Sequence, residues 1–200
     1  YDREFEGDIV LAAETTTEEN LLFAMRHARG LMCLPCTQAK LDQFNIPMMN
    51  SNGGDELGTP FATSIDAIEG ATTGMSVNDR LATIKTFLSD ESEPKSLAQP
   101  GHLFPLRARA GLLTERRGHT EGSIEIIRLA GLKEVGVIIE IMDEFGKMIK
   151  GEALKQFAKI YNLTFVSIEE LYDEVYNKNS SGSVPLSAVD EETLEAMAKV

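Results

Sequence analysis

Apolar positions along this chain recur with two different periods, and the switches between them predict its elements. The run Ile9-Val10-Leu11-Ala12 follows an acidic opening and reads as a buried strand. Leu21, Leu22, Met25 and Ala28 then keep helical spacing, with Thr16 and Glu19 as a capping box and Gly30 as the stop. Residues 31–34 predict a short buried strand, and Thr37 caps a brief helix ending near Phe44. A polar, glycine-containing loop over 49–58 leads to an alternating strand at 61–65. The small-residue loop Glu69-Gly70-Ala71-Thr72-Thr73-Gly74 precedes a helix carrying Leu81, Ile84 and Leu88.

Residues 90–101 read as a polar loop with two prolines, ending at Gly101-His102. Ile124, Ile127 and Ala130 mark a central helix that Gly131 terminates. The near-continuous apolar run 135–141 predicts a strand covered on both faces, with Glu140 inside it. Residues 152–161 form an amphipathic helix and 164–168 a strand, after which Ser167 and Glu170 cap a last helix reaching about Tyr176. Residues 177–185 are rich in Ser, Gly and Asn and read as a linker to an acidic segment, 190–200. This succession predicts an α+β fold, a three-layer α/β/α sandwich around a mixed β-sheet. One domain over 1–176 with a flexible acidic tail over 177–200 is the expected organisation.

Charge and cysteine usage narrow the picture. A formal net charge of −13 argues against general affinity for nucleic acid or an anionic membrane surface. No apolar run approaches the ~20 residues that span a bilayer. Cys33 and Cys36 form a lone C-x-x-C in an apolar segment, without the further ligands a zinc site needs, and read as half-buried thiols of a reducing, cytoplasmic compartment.

Three stretches carry candidate chemistry. Arg116-Arg117-Gly118-His119-Thr120-Glu121 sits where the central helix opens, and free backbone N–H groups and the helix dipole there favour an anion such as a phosphate. Arginine adds a bidentate donor fork, Thr120 a hydroxyl, and His119 an imidazole able to ligate a metal or move a proton. The opening Asp2-Arg3-Glu4-Phe5-Glu6-Gly7-Asp8 places Glu4 and Glu6 on one side of an extended segment, and such oxygen donors suit a hard cation like magnesium. His102, between a glycine and an apolar run, is a better functional candidate than His27 on its helix. Glu140 inside a buried strand requires a partner or a task.

Taken in order, the acidic motif, Pro100-Gly101-His102-Leu103-Phe104-Pro105-Leu106-Arg107 and the Arg116–Glu121 turn resemble the 3,4-dihydroxy-2-butanone 4-phosphate synthase family. Pro47-Met48-Met49 and the 69–74 loop add to the likeness, which runs from residue 1 to about Tyr176. The resemblance implies a lyase of riboflavin biosynthesis in its stand-alone form, without a cyclohydrolase II domain. Such an enzyme converts D-ribulose 5-phosphate to L-3,4-dihydroxy-2-butanone 4-phosphate and formate through enediolate formation, dehydration, rearrangement and loss of C4. It implies Mg2+, with Mn2+ as an alternative and no organic cofactor, and a homodimer with shared active sites. On the matching positions, Glu4 and His119 become metal ligands. Arg3, Glu4, Asp8, Thr73, Arg116, Arg117, Gly118, His119, Thr120 and Glu140 become substrate contacts. His102 and Glu140 become catalytic positions, and the base is Glu6 or Glu140. The family commonly has glycine where this sequence has Arg117, which is therefore expected to point outward. It also carries a strand and a helix ahead of its acidic motif, so the sequence is expected to open inside the family's domain.

Overall fold

The computed structural model describes residues 6–49 and 58–177. Five strands form one mixed sheet in the order β1 (Asp8–Ala12), β5 (Gly136–Glu140), β2 (Cys33–Cys36), β4 (Leu97–Arg107), β3 (Ile65–Ala67). Only β2 and β4 run parallel; β1 with β5, β5 with β2 and β3 with β4 are antiparallel. The helices are α1 (Glu18–His27), α2 (Gln38–Gln43), α3 (Val77–Leu88), α4 (His119–Leu129), α5 (Glu152–Ile160) and α6 (Ile168–Tyr172). This is the α+β architecture expected from the sequence.

Alternation along the strands sorts the two faces. Ile9, Leu11, Leu34, Val137 and Ile139 join the main core with Leu21 and Ala24 of α1, Leu41 of α2 and Ile84 and Phe87 of α3. Cys33, Leu106 and Ile138 form a second, smaller cluster with Phe61 and Phe104. Helix α4 covers this second face, with Ile127 packed against Gly136 of β5. Of the two thiols, Cys33 lies there and Cys36 in the main core, both reduced and buried. Burial pushes both thiols far above the ordinary range, and near Cys33 the Glu140 and Asp8 carboxylates push further, so neither is a nucleophile at neutral pH.

Several boundaries differ from the sequence reading. The capping box of α1 is Thr17 with Asn20, each side chain accepting the other's backbone N–H. Thr16 instead donates its hydroxyl to the carbonyl of Ala12 at 2.8 Å, closing the turn that leaves β1. After α1 the left-handed residue is Arg29 (φ 73°), whose guanidinium bonds the carbonyls of His27 and Met142. Gly30 serves close packing, since a Cβ there would lie 2.4 Å from the Glu140 carboxylate. The second strand starts at Cys33, two residues later than expected, and the pattern at 61–65 yields isolated bridges at Phe61 and Ala62 before β3. The prolines at 94 and 100 concealed β4, which begins at Leu97, so His102 sits within a strand. Residues 164–166 form no strand; they lead into α6 through the expected Ser167–Glu170 capping box. The 50–57 part of the polar loop and the acidic tail lie outside the described residues.

Asp79, in the first turn of α3, organises the 69–74 loop by accepting from the Thr72 and Gly74 N–H groups and from the Thr72 hydroxyl. The Thr72 N–H bond holds its carboxyl down to about 2, below the usual carboxylate range. A depressed carboxyl contributes stability above its unfolded value of ~3.9 and loses it as pH falls through the folded one. The expected outcome is that amide protection at Thr72 and Gly74 declines between pH 4 and about 2 in hydrogen-exchange measurements, earlier than protection in the β5 core. Unchanged protection of the loop amides at pH 2 would separate them from Asp79.

Candidate active site

Asp8 opens β1 and pairs across the sheet with Glu140 at the end of β5, so their side chains share one face. Glu140, which the sequence required to have a partner or a task, finds its partner in the backbone: its Oε2 accepts the Leu31 N–H at 2.8 Å. Asp8 stands with Oδ1 3.5 Å from Nδ1 of His119, the first residue of α4. Glu6 precedes it and forms an ion pair with Lys150 at 3.2 Å. The carboxylate of Asp8 thus meets the imidazole at the N-terminus of α4, and Glu6 lines the same cavity.

The turn before α4 explains why that N-terminus is open. Arg116 Nη1 meets Glu121 Oε2 at 2.6 Å, and the Glu121 carboxylate is wholly buried. Its other oxygen accepts the Arg109 N–H at 3.1 Å, while Arg116 Nη2 donates to Thr59 Oγ1 at 3.3 Å. The N-cap is Gly118, which contributes no side-chain cap, and a Cβ there would meet the Arg116 guanidinium at 2.1 Å. The helix therefore starts with uncapped backbone donors and the positive end of its dipole, an arrangement suited to a phosphate. Thr120 is buried beneath this turn. Arg117 does not point outward: its guanidinium stacks over the Tyr172 ring at 3.7 Å, joining the turn to α6.

A cavity of about 1070 Å³ runs from this cluster along the edge of β1. Glu6, Asp8, Arg116, Arg117, Gly118 and His119 line one end, and apolar side chains of β1, α4, α5 and α6 line the rest. His102 and Thr73 do not border it. The register explains why. Cys33 pairs with both Ile138 and Phe104, so continuing two residues back sets Leu31 level with Glu140 and His102. Asp8, Glu140, Leu31 and His102 then form one row on successive strands, and His102 lies roughly three strand spacings, ~14 Å, from Asp8. On that same face, His102 bonds Asp66 of β3. Sequence reasoning passed over Asp66, which sits in a short alternating segment without any motif of its own.

Arg3 and Glu4 lie outside the described residues. Among the described residues no group of three or more His, Cys, Asp or Glu side chains is arranged to hold a metal ion. That does not conflict with magnesium, which is commonly held through one or two protein carboxylates while keeping several waters. The imidazole of His119 facing the Asp8 carboxylate fits such a sparse donor set.

Fold and site together define a mixed-sheet α+β protein that presents carboxylates and an imidazole beside an anion-binding helix end. The family model described as 3,4-dihydroxy-2-butanone 4-phosphate synthase matches residues 1–174. Synthases of that name from Edwardsiella ictaluri and Serratia proteamaculans are 42% and 40% identical over 170 and 182 residues. The matches cover 85% and 90% of this chain and 78% and 84% of those relatives. A crystal structure of such a synthase in complex with two magnesium ions superposes with a TM-score of 0.82 at 35% identity, over 91% of this chain and 89% of that one. A two-domain synthase from A. baumannii gives 0.82 at 38% identity, over 88% of this chain and 52% of that one. The chain belongs to the 3,4-dihydroxy-2-butanone 4-phosphate synthase family.

Glu121→Ala removes the partner of a guanidinium that is itself only 11% exposed. Breaking a buried pair from one side costs about 3–5 kcal/mol. A loss of that size is expected in urea unfolding, and a change below ~1 kcal/mol would mean that the pair does not hold the turn.

Proposed function

We propose that this chain converts D-ribulose 5-phosphate to L-3,4-dihydroxy-2-butanone 4-phosphate and formate, as a lyase of riboflavin biosynthesis. The observation that carries the reading is the meeting of Asp8, Glu6 and His119 at an uncapped helix N-terminus in one cavity. The N-terminal amides of α4, backed by Arg116, bind the phosphate and set the sugar's register. Removal of a proton beside the ketone falls to a carboxylate, Glu6 or Glu140. Asp8 and the face of β1 and β5 orient the sugar hydroxyls. A divalent ion, Mg2+ or Mn2+, would be held by Glu4 and His119 and supplies a Lewis acid toward the sugar oxygens. Release of formate from ribulose 5-phosphate tests the reading, because an isomerase acting on the same sugar leaves all five carbons together.

The second part of the proposal is a homodimer with shared sites. A base or acid must come within hydrogen-bond reach of the group it serves. A separation of ~14 Å between Asp8 and His102 along one sheet leaves them too far apart to act on one reacting carbon. In a two-fold dimer, His102 with the Thr73 loop of one chain completes the His119 site of the other.

Mixing His119→Ala and His102→Ala chains is the test. Each is expected to be inactive alone. In a mixed dimer one site carries both defects and the other neither, so random exchange restores roughly a quarter of wild-type formate release. Exchange verified by mass spectrometry without recovered activity would place both histidines in the same chain's site.

A further inference from the structure

β2 and β4, the parallel pair of the sheet, end together, with Cys36 level with Arg107. The Ala108 N–H donates to the Cys36 carbonyl at 2.9 Å, and beyond that bond the two chains part. After β2 the chain enters α2, whose Leu41 packs in the main core on one face of the sheet. After β4 it turns through Leu112 into α4 on the other face, where Ala108, Leu112 and Ile124 pack together. Neighbouring parallel strands whose connections leave to opposite faces open a crevice at their carboxyl ends. In open α/β sheets that crevice is where ligands bind.

A cavity of about 560 Å³ lies in this crevice and shares no lining residue with the cavity at His119. It is cationic within a chain of formal net charge −13: Arg107, Arg109 and Arg128 line it against a single carboxylate, Glu115. That carboxylate is engaged by the Gly111 N–H at 3.1 Å. Arg128 is committed to Glu134, which takes its Nε at 2.8 Å and its Nη2 at 2.9 Å. Arg107 is half-buried and gives only Nη1 to the protein, donating to Gln38 Oε1 at 3.2 Å. Arg109 is half-buried too; its backbone N–H serves Glu121, and its guanidinium has no hydrogen bond or ion pair among the described residues. Two guanidinium groups in one cavity therefore keep their charge and most of their donors uncommitted.

We propose that this crevice is a second anion site, built on Arg107 and Arg109 for the phosphate group of a small molecule. Two uncommitted guanidinium charges balance a phosphate dianion, whereas a single carboxylate leaves one of them over. The planar fork of each guanidinium matches phosphate oxygens two at a time. The cavity has the volume of a small-molecule pocket, and Ala39, Ala108 and Ala110 beside the arginines offer apolar surface to a short carbon chain. Free phosphate and a phosphomonoester present the same oxygens, and the experiment separates them. The inference does not rest on the synthase reaction, because none of the three arginines lines the His119 cavity.

Inorganic phosphate, glycerol 3-phosphate and succinate, each titrated into the full chain at constant ionic strength set by chloride, test it. The readout is the guanidinium Nε–H resonances of Arg107 and Arg109 in NMR spectra, assigned with Arg107→Lys and Arg109→Lys. The backbone amides of Gly118 and His119 are followed in the same spectra and report the α4 end separately. Phosphate is expected to shift both guanidinium resonances saturably. Arg109→Ala is expected to weaken that binding by at least about tenfold, the loss that follows removal of a charged hydrogen-bond donor, with the Gly118 and His119 response unchanged. Tighter binding of glycerol 3-phosphate than of phosphate assigns the group to a phosphomonoester, and equal or weaker binding assigns it to free phosphate; both support the site. Shifts confined to Gly118 and His119, tightest binding of succinate, or wild-type affinity in Arg109→Ala would each overturn the proposal. Should Arg109→Ala fail to fold, Arg109→Gln takes its place, and the wild-type titration already decides between phosphate, succinate and no binding.

Discussion

The ion pair between Arg116 and the buried Glu121 is the constraint from which the site follows. Glu121 is in the first turn of α4, bonds the chain just after β4 through Arg109 N–H and takes the Arg116 guanidinium from the preceding turn. One carboxylate therefore fixes the strand exit, the turn and the helix start relative to each other. The guanidinium lies in the space that a side chain at 118 would need, so any residue but glycine at the N-cap would displace it from Glu121. With glycine at the N-cap in place of Ser, Thr or Asp, a helix gives up only a few tenths of a kcal/mol. The stability lost at the cap leaves backbone donors directed outward, where a substrate phosphate can take them. Arg116 thus shapes this end of the helix through the geometry it imposes, with its own fork bonded to Glu121 and Thr59.

The sheet distributes the remaining chemistry. Its second face carries a small apolar cluster and α4, and on it Asp8, Glu140 and His102 stand in one row on strands β1, β5 and β4. Each polar group in that row has its own neighbour: Glu140 bonds the Leu31 N–H, Asp8 faces His119, and His102 bonds Asp66. Their side chains start where the ladder sets them, so the row's spacing is a property of the backbone and cannot be closed by rotamer changes. A reaction needing both ends of the row within hydrogen-bond reach has to bring a second sheet to the first.

How much of this was legible in the sequence depended on how local the cause was. The start of α4, the glycine stop at 131 (φ +70°), β5 and the Ser167–Glu170 box are written within a few residues and were readable. The site motifs around His119 and Asp8 were readable for the same reason. Competition between adjacent candidates was not: Thr16 and Thr17 look alike as caps, and only the return of the chain from β1 gives the hydroxyl of Thr16 to Ala12. Gly30 resembled a helix stop, but it is held by the distant Glu140. β4 was hidden because Pro100 and Gly101 suggest a loop, whereas its exposed start tolerates both. Asp66 gave no signal at all, since its importance arises from His102, 36 residues later.

Arg117 shows how a departure from a family pattern is absorbed. Where the family commonly has glycine, this chain stacks a guanidinium on Tyr172, whose ring in turn packs against Tyr176 at 5.1 Å. The Tyr176 hydroxyl donates to Glu125 Oε2 at 2.6 Å, back on α4, and Ile168 fills the space above Gly122. The arginine is therefore the first contact of a strap that closes α6 over α4. A stacked cation contributes about 0.5–1 kcal/mol when exposed and about 2 when desolvated. That suffices to bias a short helix against fraying, though not to hold it alone. Its effect on the turn is one of stiffness: Arg116 is drawn inward by Glu121 while Arg117 is drawn to the side by Tyr172, so two consecutive residues before the N-cap are anchored in different directions. The backbone donors that begin at His119 are then presented by a turn with little freedom left to lose when an anion binds.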